Sequence, residues 1–289
     1  HYVMAKGEES ARLATANAYL KALDLVTERE TKAFIIRQLQ ILGQDECIDA
    51  LSAYLGDESL SGPASRALAA IGSENAGKAL KAGLMRRMGT PKTQKDIIVA
   101  IGEAQVADSE ELLKALLGSG DENMQKAVLH SLSRVGSKAS IKDMAEAAAA
   151  SGYTMTKTNA NEAYIALLKR VAAQGDVKEV EKAANDLLKK ATKANQTQTR
   201  DAALQILLSL KKENSTKLLL SALKDGNKEY RNAALNFASD SANKEVYIEV
   251  MKAMQKAKPE VKVDIINWIG REAKCPSKHD VIKSLELRF

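Results

Sequence analysis

An apolar residue followed by glycine returns along this chain at a nearly constant interval. "LQILG" ends at Gly43, "LAAIG" at Gly72, "IVAIG" at Gly102 and "LSRVG" at Gly136, spacings of 29, 30 and 34 residues. "NWIG" at Gly270 repeats the phrase near the other end. Between Gly136 and Gly270 the marker weakens, and "RDAALQILLSL" (200–210) and "RNAALNFAS" (231–239), 31 residues apart, carry the phase. "EAYIALLKRVAA" (162–173) adds a unit of irregular length. A period near thirty is too short for an independent domain. It suits one supersecondary unit that buries its apolar face only against copies of itself. About eight such units are expected.

Each unit reads as two helices. In "DECIDALSAYLGDESLSGPASRALAAIG" (45–72), Ile48, Leu51 and Leu55 have helical spacing and place a first helix near 45–55. "GDESLSGP" makes the turn, and Pro63 fits the first turn of a second helix, where its missing N–H has no intrahelical acceptor to lose. Leu68 and Ile71 face inward from that helix. Gly72 is expected to take the left-handed conformation that ends it, and Ser73 to cap the next. Ala33, Ala64, Ala67, Ala127, Ala202, Ala203, Ala233 and Ala234 fall on second helices, where small side chains allow close helix approach. The composition agrees: 45% apolar, 28% charged, 4% aromatic and four prolines. The expected fold is all-α, an α-solenoid of about eight helix pairs forming a single domain over residues 1–289. His1, with no initiator Met before it, is read as a cut end, so the chain is expected to be a fragment of a larger protein.

Chemistry-bearing patterns are sparse. No run reaches the roughly 18–20 apolar residues of a membrane span. The net charge of +6 is spread among interspersed Lys and Glu, so a mixed solvated surface is expected and a nucleic-acid site is not. His1, His130 and His279 lack partners at i+3 or i+4, and Cys275 with His279 is a weak pair in an expected terminal loop. Cys47 and Cys275 form no C-x-x-C motif. Neither G-x-S-x-G nor a phosphate-binding glycine loop occurs. Catalytic, cofactor-binding and metal-ligating residues are therefore expected to be none.

One surface stands out as a candidate binding site. The residue six before each closing glycine, or its equivalent after Ala-Ala-Leu, is Arg37, Arg66, Asp96, His130, Gln205, Asn236 or Asp264. Gln40, Lys92, Val99, Lys126 and Ser133 lie one or two turns away on the same side, opposite Leu39, Leu68, Ile98 and Leu132. This ladder is expected to face a concave groove that takes a protein partner segment; a solvated face without a ligand is the competing reading. Arg200 and Arg231 each precede Ala-Ala-Leu by one residue and are expected to pair with a turn carboxylate such as Asp225. Trp268 is expected to pack in the last layer. Val281, Ile282, Leu285, Leu287 and Phe289 leave apolar surface that a neighbouring domain or subunit is expected to cover.

"DGNKEYRNAALNFAS" (225–239) resembles a HEAT-type repeat, with Asp225 leading the turn and Arg231 following. "DENMQKAVLHSLSRVG" (121–136) and "TRDAALQILLSL" (199–210) are close variants. The resemblance implies an Asp–Arg ladder between units, and the short period is similar to that of bilin-lyase-like HEAT proteins. Residues 34–72 and 151–176 are also similar to the HEAT region of secreted Bacteroidetes-type proteins. In those, a jelly-roll domain of unknown function 1080, related to 3-keto-disaccharide hydrolases, follows the repeats. That resemblance implies a non-catalytic interaction or spacing scaffold, the repeat portion of a carbohydrate-related extracytoplasmic protein whose hydrolase part lies outside this chain. The alternatives are a HEAT-like DNA glycosylase or other nucleic-acid-binding solenoid, and a bilin-lyase-like protein. The nucleic-acid alternative calls for a basic stripe with interleaved aromatics, which the sequence does not show, and the bilin-lyase alternative rests on fold similarity alone.

Overall fold

A computed structural model describes residues 8–119, 121–210, 215–241 and 244–271. Sixteen α-helices follow one another there, with no strand among the described residues. In chain order they fall into pairs: α1 (Glu9–Leu25) and α2 (Arg29–Leu42), α3 (Ile48–Ser52) and α4 (Ser61–Ile71), α5 (Glu74–Met85) and α6 (Pro91–Glu103), α7 (Glu110–Lys114) and α8 (Glu122–Val135). There follow α9 (Ile141–Ala150) and α10 (Ala160–Ala173), α11 (Val177–Lys193) and α12 (Thr197–Leu210), α13 (Ser215–Ala222) and α14 (Lys228–Ser241), α15 (Lys244–Gln255) and α16 (Pro259–Arg271). The chain divides into two compact units, His1–Ser151 with Met155–Arg170, and Gly152–Thr154 with Val171–Phe289.

Within the first unit the second helices α2, α4, α6 and α8 pack each on the next, and α3 packs on α5. Within the second unit α12, α14 and α16 do the same, and α13 packs on α15. This sequential packing is the α-solenoid order that the repeat predicts. Leu39, Leu68, Ile98 and Leu132, the residues expected on the inward face, are all fully buried. Ala33, Ala64, Ala67, Ala127, Ala203 and Ala234 are buried with them. In the second unit Leu204, Ala234, Leu235, Ile265 and Trp268 share one core. Trp268 packs as expected: it stacks on Tyr247 with centroids 5.1 Å apart and donates from Nε1 to Ser239 Oγ at 2.8 Å.

Local signals are realised unevenly. Gly72 sits at φ 65°, and its N–H reaches Leu68 O at 3.3 Å. Ser73 Oγ accepts from Ala76 N at 3.1 Å and so caps α5. Ser73→Ala is expected to cost about 1 kcal/mol in a denaturant melt, as loss of an N-cap acceptor does. An unchanged midpoint would show that the cap contributes nothing. The first helix expected at 45–55 is shorter. A 3-10 turn, Asp45–Cys47, leads into α3, which ends at Ser52. Beyond it the bonds tighten to i→i+3, Tyr54 N to Leu51 O and Leu55 N to Ser52 O. Asp57 Oδ1 then collects Ser59 N and Leu60 N. Ile48, Leu51 and Leu55 nevertheless stay on the buried side.

The glycines expected to close helices are of three kinds. Gly72 is left-handed, whereas Gly43 and Gly136 follow their helices in extended conformation. Gly102 and Gly270 lie inside α6 and α16. No described helix is long and apolar enough to cross a membrane. His1, Cys275, His279 and the apolar set Val281, Ile282, Leu285, Leu287 and Phe289 lie outside the described residues.

Candidate functional site

The second helices of the first unit bring part of the predicted ladder together. Gln40 from α2, Arg66 from α4 and Asp96 and Val99 from α6 line one hollow of about 530 Å³, with Gly62 and Glu103 at its edges. Ala69, Ala70 and Ala100 keep it open, because a larger side chain on these turns would fill it. Arg66 is exposed, and its guanidinium Nη1 lies over Gly62, 3.4 Å from where a Cβ would stand. Neither Arg66 nor Gln40 makes a side-chain hydrogen bond or ion pair among the described residues.

The acids of the hollow are engaged. Asp96 Oδ2 accepts from Ser61 Oγ at 2.6 Å and lies 3.5 Å from Lys92 Nζ. Lys92 also donates to Glu58 O, which turns it away toward the loop before α4. Glu103 holds His130 Nε2 at 3.1 Å and Arg134 Nη2 at 3.4 Å, so His130 joins the rim through Glu103. Arg37 and Lys126 are exposed but do not line the hollow. Ser133 is buried and donates to His130 O at 2.6 Å.

In the second unit Gln205 is half-buried and Asn236 exposed. Asp264 corrects the expectation of a groove-facing residue. It is 2% exposed and bound by Arg231, with Nε at 2.8 Å and Nη2 at 2.7 Å from Oδ2. The cause is helical register. Gly43, Gly72 and Gly136 lie past their helix ends, and six residues back fall the exposed Arg37, Arg66 and His130. Six residues before Gly102 the count still reaches the hollow at Asp96, but in α16 the buried pair is Asp264 and Ile265, six and five residues before Gly270, where α4 buries Ala67 and Leu68, five and four before Gly72. One residue of offset rotates a side chain by about 100°.

Of the two arginines expected to pair with a turn carboxylate, Arg200 does so, whereas Arg231 takes Asp264 of α16 and meets the turn only through backbone oxygens. Arg200 Nη2 donates to Asp225 Oδ2, and its guanidinium carbon lies 4.0 Å from the Tyr230 ring centroid. Asp225 Oδ1 accepts from Asn227 N at 2.8 Å. Arg231 Nη1 donates to Asp225 O at 2.9 Å and Gly226 O at 3.1 Å, fixing the turn before α14. Beside Arg200, Asp201 is pushed up to about 6, chiefly by burial, with Arg200 opposing and Glu229 adding to the rise.

A second set of arginines escaped sequence reasoning. Arg134 Nε donates to Gly102 O at 3.0 Å and Arg170 Nε to Ser133 O at 2.9 Å, each reaching the carboxyl end of the preceding second helix. Arg12, on α1, reaches instead the carboxyl end of the following helix α2, donating to Leu42 O at 2.7 Å while pairing with Glu9 and Glu46. A cation there answers remaining carbonyl lone pairs and the negative end of the helix dipole. The signal was available for two of them: "LSRVG" and "LLKRVAA" place Arg-Val 36 residues apart. First helices are tied in by Glu110, whose Oε1 accepts from Ser140 Oγ at 2.5 Å and Ser137 N at 2.8 Å. Burial raises its pKa, but these hydrogen bonds outweigh that and hold the carboxyl below its usual range.

Cys47 is buried as a free thiol, and burial pushes it up to about 11, so it sits as a core side chain. Among the described residues no three His, Cys, Asp or Glu side chains group as metal ligands.

Residues 83–165 match the family model for HEAT repeats. No curated protein matches the chain. Among solved structures, an engineered protein crystallised as a target of the Northeast Structural Genomics Consortium is 21% identical. The alignment covers 98% of this chain and 85% of that one, with a TM-score of 0.43.

Proposed function

We propose that the chain is a non-catalytic protein-interaction scaffold whose first unit receives an extended partner segment across the hollow between α2, α4 and α6. The observation that carries this reading is Arg66. It is a charged side chain without a partner among the described residues, at the mouth of a shallow concavity whose acids are already engaged. A structural arginine in this protein is built differently, as Arg134, Arg170, Arg200 and Arg231 each grip a neighbouring unit. Stacked helix pairs expose a long surface for their mass, which suits the recognition of segments rather than small substrates. The match of residues 83–165 to HEAT repeats spans α6, which lines the hollow, and so supports a scaffold role.

Arg66→Glu, within the hollow, is expected to weaken capture of a partner held by the wild-type chain by at least about tenfold, and Arg37→Glu, outside it, to weaken capture less. Both residues are exposed, so stability is expected to stay within about 0.5 kcal/mol. Capture that persists at wild-type strength removes the hollow from the reading. The resemblance of residues 34–72 and 151–176 to secreted HEAT proteins further supports an extracytoplasmic, carbohydrate-related setting. Fractionation of cells expressing the full-length protein tests it, and a cytoplasmic pool would exclude it.

A further inference from the structure

The second unit carries a concavity of a different kind. A groove of about 470 Å³ opens between the carboxyl ends of α13 and α15 and the start of α16. Its floor is apolar, with Leu220, Leu223, Ala257 and Ile265, and Lys224, Lys256 and Lys258 stand around it; no carboxylate among the described residues lines it. All three lysines are exposed, and their ammonium groups make no ion pair or hydrogen bond among the described residues. Elsewhere lysines find acids readily, as Lys78 does with Glu74, Lys190 with Asp186 and Lys252 with Glu249.

We propose that this groove binds an acidic segment of a partner protein that also carries aliphatic side chains. The carboxylates would meet the lysine rim and the aliphatic groups the floor. Helix dipoles explain only part of the rim. Lys224 and Lys256 follow the carboxyl ends of α13 and α15, where a cation is favoured. Lys258 directly precedes Pro259 at the amino end of α16, where the dipole disfavours a cation. Three like charges around an apolar concavity are poorly placed for the free chain and well placed for an acidic ligand, which would gain both steering and burial. A second copy of this chain is a poor match, because its own net charge is +6. So are residues 272–289, where Lys274, Lys278, Lys283 and Arg288 stand against Glu272, Asp280 and Glu286.

The test uses the full chain and a fluorescein-labelled peptide of about four helical turns, with Leu at i, i+3, i+4 and i+7 and Glu at the remaining positions. One control peptide replaces Glu with Lys and another replaces Leu with Ser. Anisotropy titrations are expected to show binding of the Leu/Glu peptide that weakens with salt, and at least about tenfold weaker binding of both controls. The triple variant Lys224→Glu, Lys256→Glu, Lys258→Glu is expected to lose at least about tenfold. Ala257→Trp, which fills the floor, is expected to lose as much with the rim intact. Lys→Ser at the same three positions keeps the test valid if charge reversal impairs folding. The proposal is overturned if the Leu/Glu peptide does not bind, if the Lys peptide binds as well, or if the folded rim variants bind unchanged. It is equally overturned if deleting residues 272–289 is needed before the peptide can bind, since the chain would then occupy its own groove. Arg66→Glu is expected to leave this binding intact, which separates the result from the fate of the first-unit hollow.

Discussion

Arg231→Ala is expected to destabilise the protein by about 3–5 kcal/mol, the cost of leaving one partner of a buried ion pair alone. Arg231 and Asp264 are 3% and 2% exposed at their side chains, so water cannot replace the lost guanidinium around the carboxylate. The truncation also strips the donor from Asp225 O and Gly226 O, two carbonyls of the turn that starts α14. Arg231→Ala is therefore expected to exceed Asp264→Ala, which leaves the turn bonds in place. The double replacement Arg231→Met, Asp264→Leu is expected to recover much of the loss. Two desolvated charges cost more to bury than two apolar side chains of similar volume. Urea unfolding of the single and double variants, analysed as a cycle, measures the coupling. A loss below about 1 kcal/mol for Arg231→Ala would show that the pair is not the fastening between α14 and α16 described above.

The contrast between Arg200 and Arg231 shows how far the sequence could be read. Both precede Ala-Ala-Leu, and the pairing of Arg200 with Asp225 was legible because donor and acceptor fall in a recurring turn-plus-helix phrase. Asp264, the partner of Arg231, sits 33 residues on in a helix rather than a turn, and counting from Gly270 placed it on the wrong face. The fold itself was legible because helical spacing of Leu and Ile, runs of alanine and a fixed period each encode helix-pair stacking directly. Burial of Leu39, Leu68, Ile98 and Leu132 follows from that spacing alone. The candidate hollow was half legible. Gln40, Arg66, Asp96 and Val99 were named and do converge, while the engagement of Asp96 by Ser61 and of Glu103 by His130 depends on neighbours 27–35 residues away that no local pattern specifies. The lysine-rimmed groove left only a partial trace: Lys224 and Lys256 stand one repeat apart, 32 residues, after the ends of α13 and α15, but no local pattern shows that Lys258 joins them around an apolar floor.

Gly102 and Gly270 end the same kind of phrase, Ile-Gly after an apolar run, yet alanine is expected to act on them in opposite directions. Each lies within a helix, where alanine in place of glycine is ordinarily favoured by up to about 1 kcal/mol. At Gly270 a Cβ would meet nothing within 4 Å among the described residues, so Gly270→Ala is expected to be neutral or to stabilise by that amount. At Gly102 a Cβ would stand 2.5 Å from Ser131 Oγ and 2.7 Å from Ser131 Cα. The hydroxyl could rotate, but the α-carbon belongs to α8, and moving it means separating α8 from α6. Ser131 Oγ donates to Ile98 O at 2.7 Å across that same contact, and the bond would be lost with the approach. Overpacking of about 3 kcal/mol against a helix-propensity gain of about 1 leaves Gly102→Ala destabilising by about 2 kcal/mol. Ser131→Ala in the same chain is not expected to rescue it, because the backbone conflict remains. Paired thermal melts of the two glycine variants decide the point. Equal shifts of the same sign would mean that the close approach of α6 and α8 is not what fixes glycine at position 102.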